Sequence, residues 1–142
     1  MLLVFLGWHS PLLAPLRLAT VATHEFGHAV AAVVTGGAVE GIQLSAAGGE
    51  TVMRGGWPVA ILCCGYPAPA LLAMLLIQTR ARPLGGLLAL AAFRDIFDDL
   101  QRGDAAALAE LTSTPPMLWS LGWGLLALGV LVRWVSGDKS IY

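Results

Sequence analysis

Hydrophobic positions along the chain gather into four apolar blocks separated by two polar islands. The first block runs from about Leu12 to Thr35 and is closed by Gly36-Gly37, a helix stop. The second, Trp57 to Thr79, carries no charge and is long enough to cross a hydrocarbon core of about 30 Å. The third, Pro83 to about Phe97, is shorter and follows Arg80-Ala81-Arg82. The fourth, Met117 to Val135, is broken only by Arg133 near its end, where a long side chain snorkels to the interface. Each block predicts a helix, and Pro67 and Pro69 predict a kink within the second.

The islands have a different texture. Between the first two blocks, Val39, Ile42 and Leu44 alternate with small or polar residues, Gly48-Gly49 follows, and Glu50-Thr51-Val52-Met53-Arg54 leads to Gly55-Gly56. That pattern predicts a short β-hairpin over Ala38 to Arg54. An open strand edge there would hold an extended polypeptide by strand addition, and a plain connecting hairpin fits the spacing equally well. The second island holds Asp95, Asp98, Asp99, Asp104 and Glu110, with Arg94 and Arg102 to balance them. Asp104 is placed to cap a short helix that Pro115-Pro116 ends.

Composition decides the solvent. Hydrophobic residues make up 57% of the 142 and charged residues 12%, against about 25% charged in an ordinary soluble domain. The mean hydropathy of +0.76 agrees. Too little polar material is present to cover a protein of this size in water. The expectation is an all-α polytopic membrane protein, one domain over residues 1–142. It would have about four transmembrane or membrane-embedded helices, with a short β-hairpin after the first. Its partners would be membrane lipids, and its place a bacterial-type plasma membrane crossed several times. Residues 1–6 are apolar without the basic start of a signal peptide, so they read as part of that domain. If the blocks alternate in direction, Arg80, Arg82, Arg133 and Lys139 share one side, which the positive-inside rule makes cytoplasmic. A net charge of −1 with no basic stripe excludes nucleic acid as a partner. Adjacent Cys63 and Cys64 point apart on a helix and read as small buried hydrophobes.

Inside the first block lies the one concentrated chemical signal, His24-Glu25-Phe26-Gly27-His28. Four residues apart on a helix, His24 and His28 project from one face a turn apart and would grip one zinc ion. Glu25 beside them would act as general base toward water. An ionisable residue in an apolar helix costs several kcal/mol unless it is paired or functional, so packing alone explains the trio poorly.

The stretch Thr23-His24-Glu25-Phe26-Gly27-His28-Ala29 followed by Thr35-Gly36-Gly37 resembles the site-2 protease class of membrane metallopeptidases, and most closely its compact peptidase M50B-like branch. Gly48-Gly49-Glu50-Thr51, Arg54-Gly55-Gly56, Gly65-Tyr66-Pro67-Ala68-Pro69-Ala70, Asp95-Ile96-Phe97-Asp98-Asp99, Asp104-Ala105 and the Trp119/Trp123 helix carry the likeness further, in order, from about residue 20 to 124. The resemblance implies a multi-helix membrane fold, a zinc cofactor and hydrolysis of peptide bonds in membrane-spanning or juxtamembrane polypeptides. The chain departs from the pattern twice. A helical hairpin that relatives carry between the Gly65-Tyr66 helix and the helix ending at Asp99 is missing, and no Asp-Gly dipeptide supplies the third ligand.

A catalytic zinc takes three protein ligands and leaves one position open. His9 is the only other histidine, and Cys63 or Cys64 would make an unusual hydrolytic site. The acidic island is the better source. Asp95 and Asp98, three apart on one face, are the expected donors, with Asp99 near that face and Asp104 assigned to capping. The sequence thus predicts Glu25 as base and His24, His28 and Asp95 or Asp98 on Zn2+. The alternatives are a catalytically degenerate member acting as a membrane metal-binding or interaction protein, and a metal or proton conductor.

Overall fold

The computed structural model of the chain describes residue 4, residues 6–45 and residues 48–137; the parts of the expectations that fall on residues 1–3, 5, 46–47 and 139 lie outside them. A 3-10 turn, Pro11–Leu13, leads into α1, Ala14–Val34. The expected stop works as follows. Gly36 takes a left-handed φ of +85°, and Gly37 N–H donates to Ala32 O at 2.7 Å, closing the helix end. Thr35 Oγ1 donates to Ala31 O and accepts from Trp57 N–H at 2.9 Å, so one hydroxyl ties the end of the hairpin to the end of α1.

The hairpin forms where alternation predicts it. β1, Ala38–Ser45, pairs antiparallel with β2, Gly48–Arg54, from Ala38↔Arg54 to Ser45↔Gly48, with a bulge between Val39 and Gly41. Both strands lie against α1. The second apolar block is two helices, α2 (Pro58–Cys64) and α3 (Pro67–Ile77), bent by 43° at Gly65-Tyr66. Pro67 has no N–H for a continuous ladder, which is the physical origin of the break. After a short turn comes α4, Arg82–Asp98, packed directly on α3. The crossing is close enough that a Cβ on Gly85 would lie 2.7 Å from Ala73 O. α5, Gly103–Thr112, packs against α2, and α6, Pro116–Ser136, against α3, α4 and α5.

The core lies among α3, α4 and α6, where Ala70, Ala73, Ala89, Ala91 and Ala127 are fully buried beside Tyr66, Leu88, Leu108 and Trp123. Small residues at the crossings let the backbones approach closely, which favours dispersion contacts. Arg82 Nη2 donates to Trp134 O at 2.6 Å, so the start of α4 and the end of α6 sit at one end of the molecule, as expected for Arg82 and Arg133.

The described chain is mostly helical with a two-stranded antiparallel sheet. About four spans are not what the described helices provide. α6 alone is long and apolar enough to cross a membrane, and the bent α2–α3 pair passes the same test as a unit. α1 is as long as α6 but is diluted by Arg17, His24, Glu25 and His28, and α4 has 17 residues ending in Arg94-Asp95-Ile96-Phe97-Asp98. The outer surface is nevertheless apolar: Phe26, Val33, Leu75, Leu84, Leu118, Leu125 and Val132 are each more than half exposed.

Candidate metal centre

α1 turns His24 and His28 toward the α2–α3 break, where their Nε2 atoms lie 2.9 Å apart. The third group that meets them is Asp104, in the first turn of α5. Its Oδ2 is 3.1 Å from His24 Nε2 and 3.2 Å from His28 Nε2. Two glycines permit the approach. A Cβ on Gly27 would strike the Cys64 carbonyl and lie 2.8 Å from Ala68 Cβ, so only glycine lets α1 reach the break. A Cβ on Gly65 would lie 2.6 Å from Asp104 Oδ2, 2.6 Å from His28 Cε1 and 2.7 Å from His24 Cε1. Gly65 is therefore one wall of the site.

The donor set fits a metal ion. Asp104 Oδ2 is buried and accepts no hydrogen bond of ordinary geometry, although it lies at ion-pair distance from both imidazoles. Three lone-pair atoms thus converge on one point, and a cation is the species that satisfies them together. With zinc–ligand bonds of about 2.0–2.1 Å, tetrahedral ligand atoms lie about 3.3–3.4 Å apart. The triangle of 2.9–3.2 Å is a slightly contracted version. His28 Nδ1 lies 2.8 Å from Ile61 O, and a carbonyl only accepts, so Nδ1 carries the proton. In the neutral ring Nε2 then keeps the lone pair that faces the site. Without an ion the same triangle is held by protons: burial raises the pKa of Asp104, and the two imidazoles, donating in their protonated form, outweigh it and hold the carboxyl down at about 2.

Glu25 is 5% exposed and lies beneath β2. Thr51 Oγ1 donates to Glu25 Oε2 at 2.6 Å and also lies 3.2 Å from Glu25 O. Tyr66 packs edge-on to His24, ring centroids 4.5 Å apart, stacks on Trp123 at 4.8 Å, and donates from its hydroxyl to Asp99 Oδ2 at 2.6 Å. Glu25, Thr51, Tyr66, His24 and Asp99 line one cavity of about 860 Å³ whose other walls include the rest of β2 and the end of α4.

The structure brings a different carboxylate to the histidines from those the spacing favoured. His24 and His28 come together with Glu25 beside them, but Asp95 and Asp98 are not the carboxylates that join them. Asp98 is exposed and pairs with Arg94 one helical turn back, while Asp95 lines the cavity outside the three-atom cluster. Asp104 does not cap α5 either. Arg102 holds the N-cap position, and Gly103 opens the helix with a left-handed φ of +49°. That glycine was the available signal, because it starts the helix before Asp104 and frees the carboxylate to point elsewhere. Thr51 and Gly65 stood in recognised motifs without an assigned task, since neither contact is local in sequence.

The peptidase M50B-like family matches the chain over residues 1–82 and 76–134. The two matched stretches overlap at residues 76–82, across the turn between α3 and α4. No curated protein matches, and no solved structure does.

Proposed function

The chain belongs to the peptidase M50B-like family, and we propose that it is an intramembrane zinc metalloendopeptidase. The observation that carries this reading is the convergence of His24, His28 and Asp104 on one point, with a carboxylate next in sequence to the first ligand. His24, His28 and Asp104 would hold the ion. Zinc bound there supplies Lewis-acid polarisation of the scissile carbonyl and acidifies a water molecule. Glu25 accepts a proton from the attacking water and returns it to the leaving amide nitrogen, so hydrolysis yields a carboxylate and an amine. The wall of Gly65 and Tyr66 keeps both imidazoles turned to the site, and β2 shields Glu25 from bulk solvent.

The membrane is supported by the apolar outer surface, since a patch of that extent in water would aggregate. The site then serves polypeptide segments that cross or border the bilayer. A helical segment has its backbone carbonyls engaged, so it must unwind locally before attack. β2, which borders the cavity, offers strand-edge groups to such an unwound segment. The shared end of Arg82 and Arg133 would face the cytoplasm.

The test is Glu25→Gln in purified, lipid-reconstituted protein with a membrane-spanning peptide as probe. Zinc should stay at one equivalent while cleavage falls by roughly 100- to 10,000-fold. Undiminished cleavage by that variant would sink the mechanism.

A further inference from the structure

We infer that Thr51 is a positioning residue for the base Glu25, an inference that rests on the peptidase reading above. Glu25 could in principle swing about its side-chain torsions, and a base that wanders loses its advantage. Two features of β2 prevent this. Thr51 Oγ1 donates to Oε2 at 2.6 Å, the distance of a charge-assisted hydroxyl–carboxylate bond. Gly49 lies over the rest of the group, where a Cβ would stand 2.6 Å from Glu25 Cγ and 2.8 Å from Oε1. The strand therefore fixes one carboxylate oxygen by a hydrogen bond and confines the other by contact. Oε1 has no hydrogen-bond partner among the described residues, which leaves it to take the proton.

The hydroxyl has one proton and two acceptors, Oε2 at 2.6 Å and the Glu25 carbonyl at 3.2 Å. The shorter contact, to the side-chain oxygen, takes most of the bond. The carbonyl is already the acceptor of the α1 ladder, so fastening the hairpin to the helix is the lesser task. Thr51 also sits in a hydrogen-bonded strand, opposite Ile42, so its hydroxyl is presented from a rigid support. What loads or displaces β2 acts on the base through this side chain and the Gly49 contact.

The experiment compares Thr51→Val, Thr51→Ser and Glu25→Gln in lipid-reconstituted protein. It reads zinc content, kcat and KM on one membrane-spanning peptide, and the infrared carboxylate band that disappears in Glu25→Gln. Valine keeps the shape and loses the donor. Thr51→Val should lower kcat roughly 10- to 100-fold with KM and zinc within about twofold, and should move the Glu25 band. Thr51→Ser should recover kcat and band position. Wild-type kcat in Thr51→Val beside an inactive Glu25→Gln overturns the role of Thr51 alone. Loss of zinc from Thr51→Val with no recovery in Thr51→Ser also overturns it, as a purely structural threonine. Absence of any Glu25-dependent cleavage by the wild type overturns the peptidase reading and this role with it.

Discussion

Gly65→Ala separates the metal site from the fold. Gly65 has φ −58° and ψ −71°, a right-handed conformation that alanine adopts without strain. On backbone grounds the change is neutral or stabilising by up to about 1 kcal/mol. The added methyl meets Asp104 Oδ2 at 2.6 Å, His28 Cε1 at 2.6 Å and His24 Cε1 at 2.7 Å. Ordinary carbon contacts begin near about 3.5 Å, so each ligand must retreat by about 0.8–0.9 Å. Overpacking of this kind costs about 1–3 kcal/mol, offset only in part by the backbone gain, so the unfolding midpoint of the metal-free protein should fall modestly while the fold persists. Three ligands displaced together cannot keep a tetrahedral set. Zinc affinity should fall by more than about 100-fold, beyond the loss typical of disturbing groups behind the ligands. Equilibrium competition against a fluorescent chelator measures the affinity, and thermal unfolding of the metal-free protein measures the fold. Wild-type affinity in Gly65→Ala would refute the placement of Gly65 as the wall of the site.

Asp104→Ala should lose zinc by more than about 100-fold in the same competition, whereas Asp98→Ala should stay near wild type because its partner is Arg94. Gly27→Ala places a methyl against the Cys64 carbonyl, a backbone atom that cannot step aside. It should destabilise the protein by about 1–3 kcal/mol, visible as an earlier thermal transition even without metal. Tyr66→Phe keeps the ring beside His24 and removes the donor to Asp99. Zinc affinity should change less than in Tyr66→Ala, which takes away the packing as well, and the reverse order in chelator competition would count against the ring as the support of His24.

Local physics accounts for what was legible in the sequence. Spacing of four between His24 and His28 puts both on one face whatever surrounds them. Gly36-Gly37, the alternation in Val39 to Met53 and the prolines at 67 and 69 each act within a few residues, and the helix end, the hairpin and the bend all formed there. The meeting of Asp104 with the two histidines was not legible, because it depends on how α5 docks across α2, a contact between distant parts of the chain. The i,i+3 spacing that favoured Asp95 and Asp98 ranks carboxylates along one helix and says nothing of which helix faces the histidines. The described helices give one span, or two with the bent pair, and so do not establish the expected count of about four. α1 gives up apolar positions to Arg17, His24, Glu25 and His28, so it reads as less of a membrane helix than its length suggests.

The most direct measurement is zinc K-edge X-ray absorption on purified wild-type protein, with Asp104→Ala as the comparison. The expected spectrum has nitrogen and oxygen scatterers at about 2.0–2.1 Å, with the outer-shell pattern of two imidazoles, in a sample holding one zinc per chain. A sulfur shell near about 2.3 Å would move the metal to Cys63 or Cys64, and a chain that binds no zinc, or a spectrum and stoichiometry unchanged in Asp104→Ala, would contradict the site built from His24, His28 and Asp104.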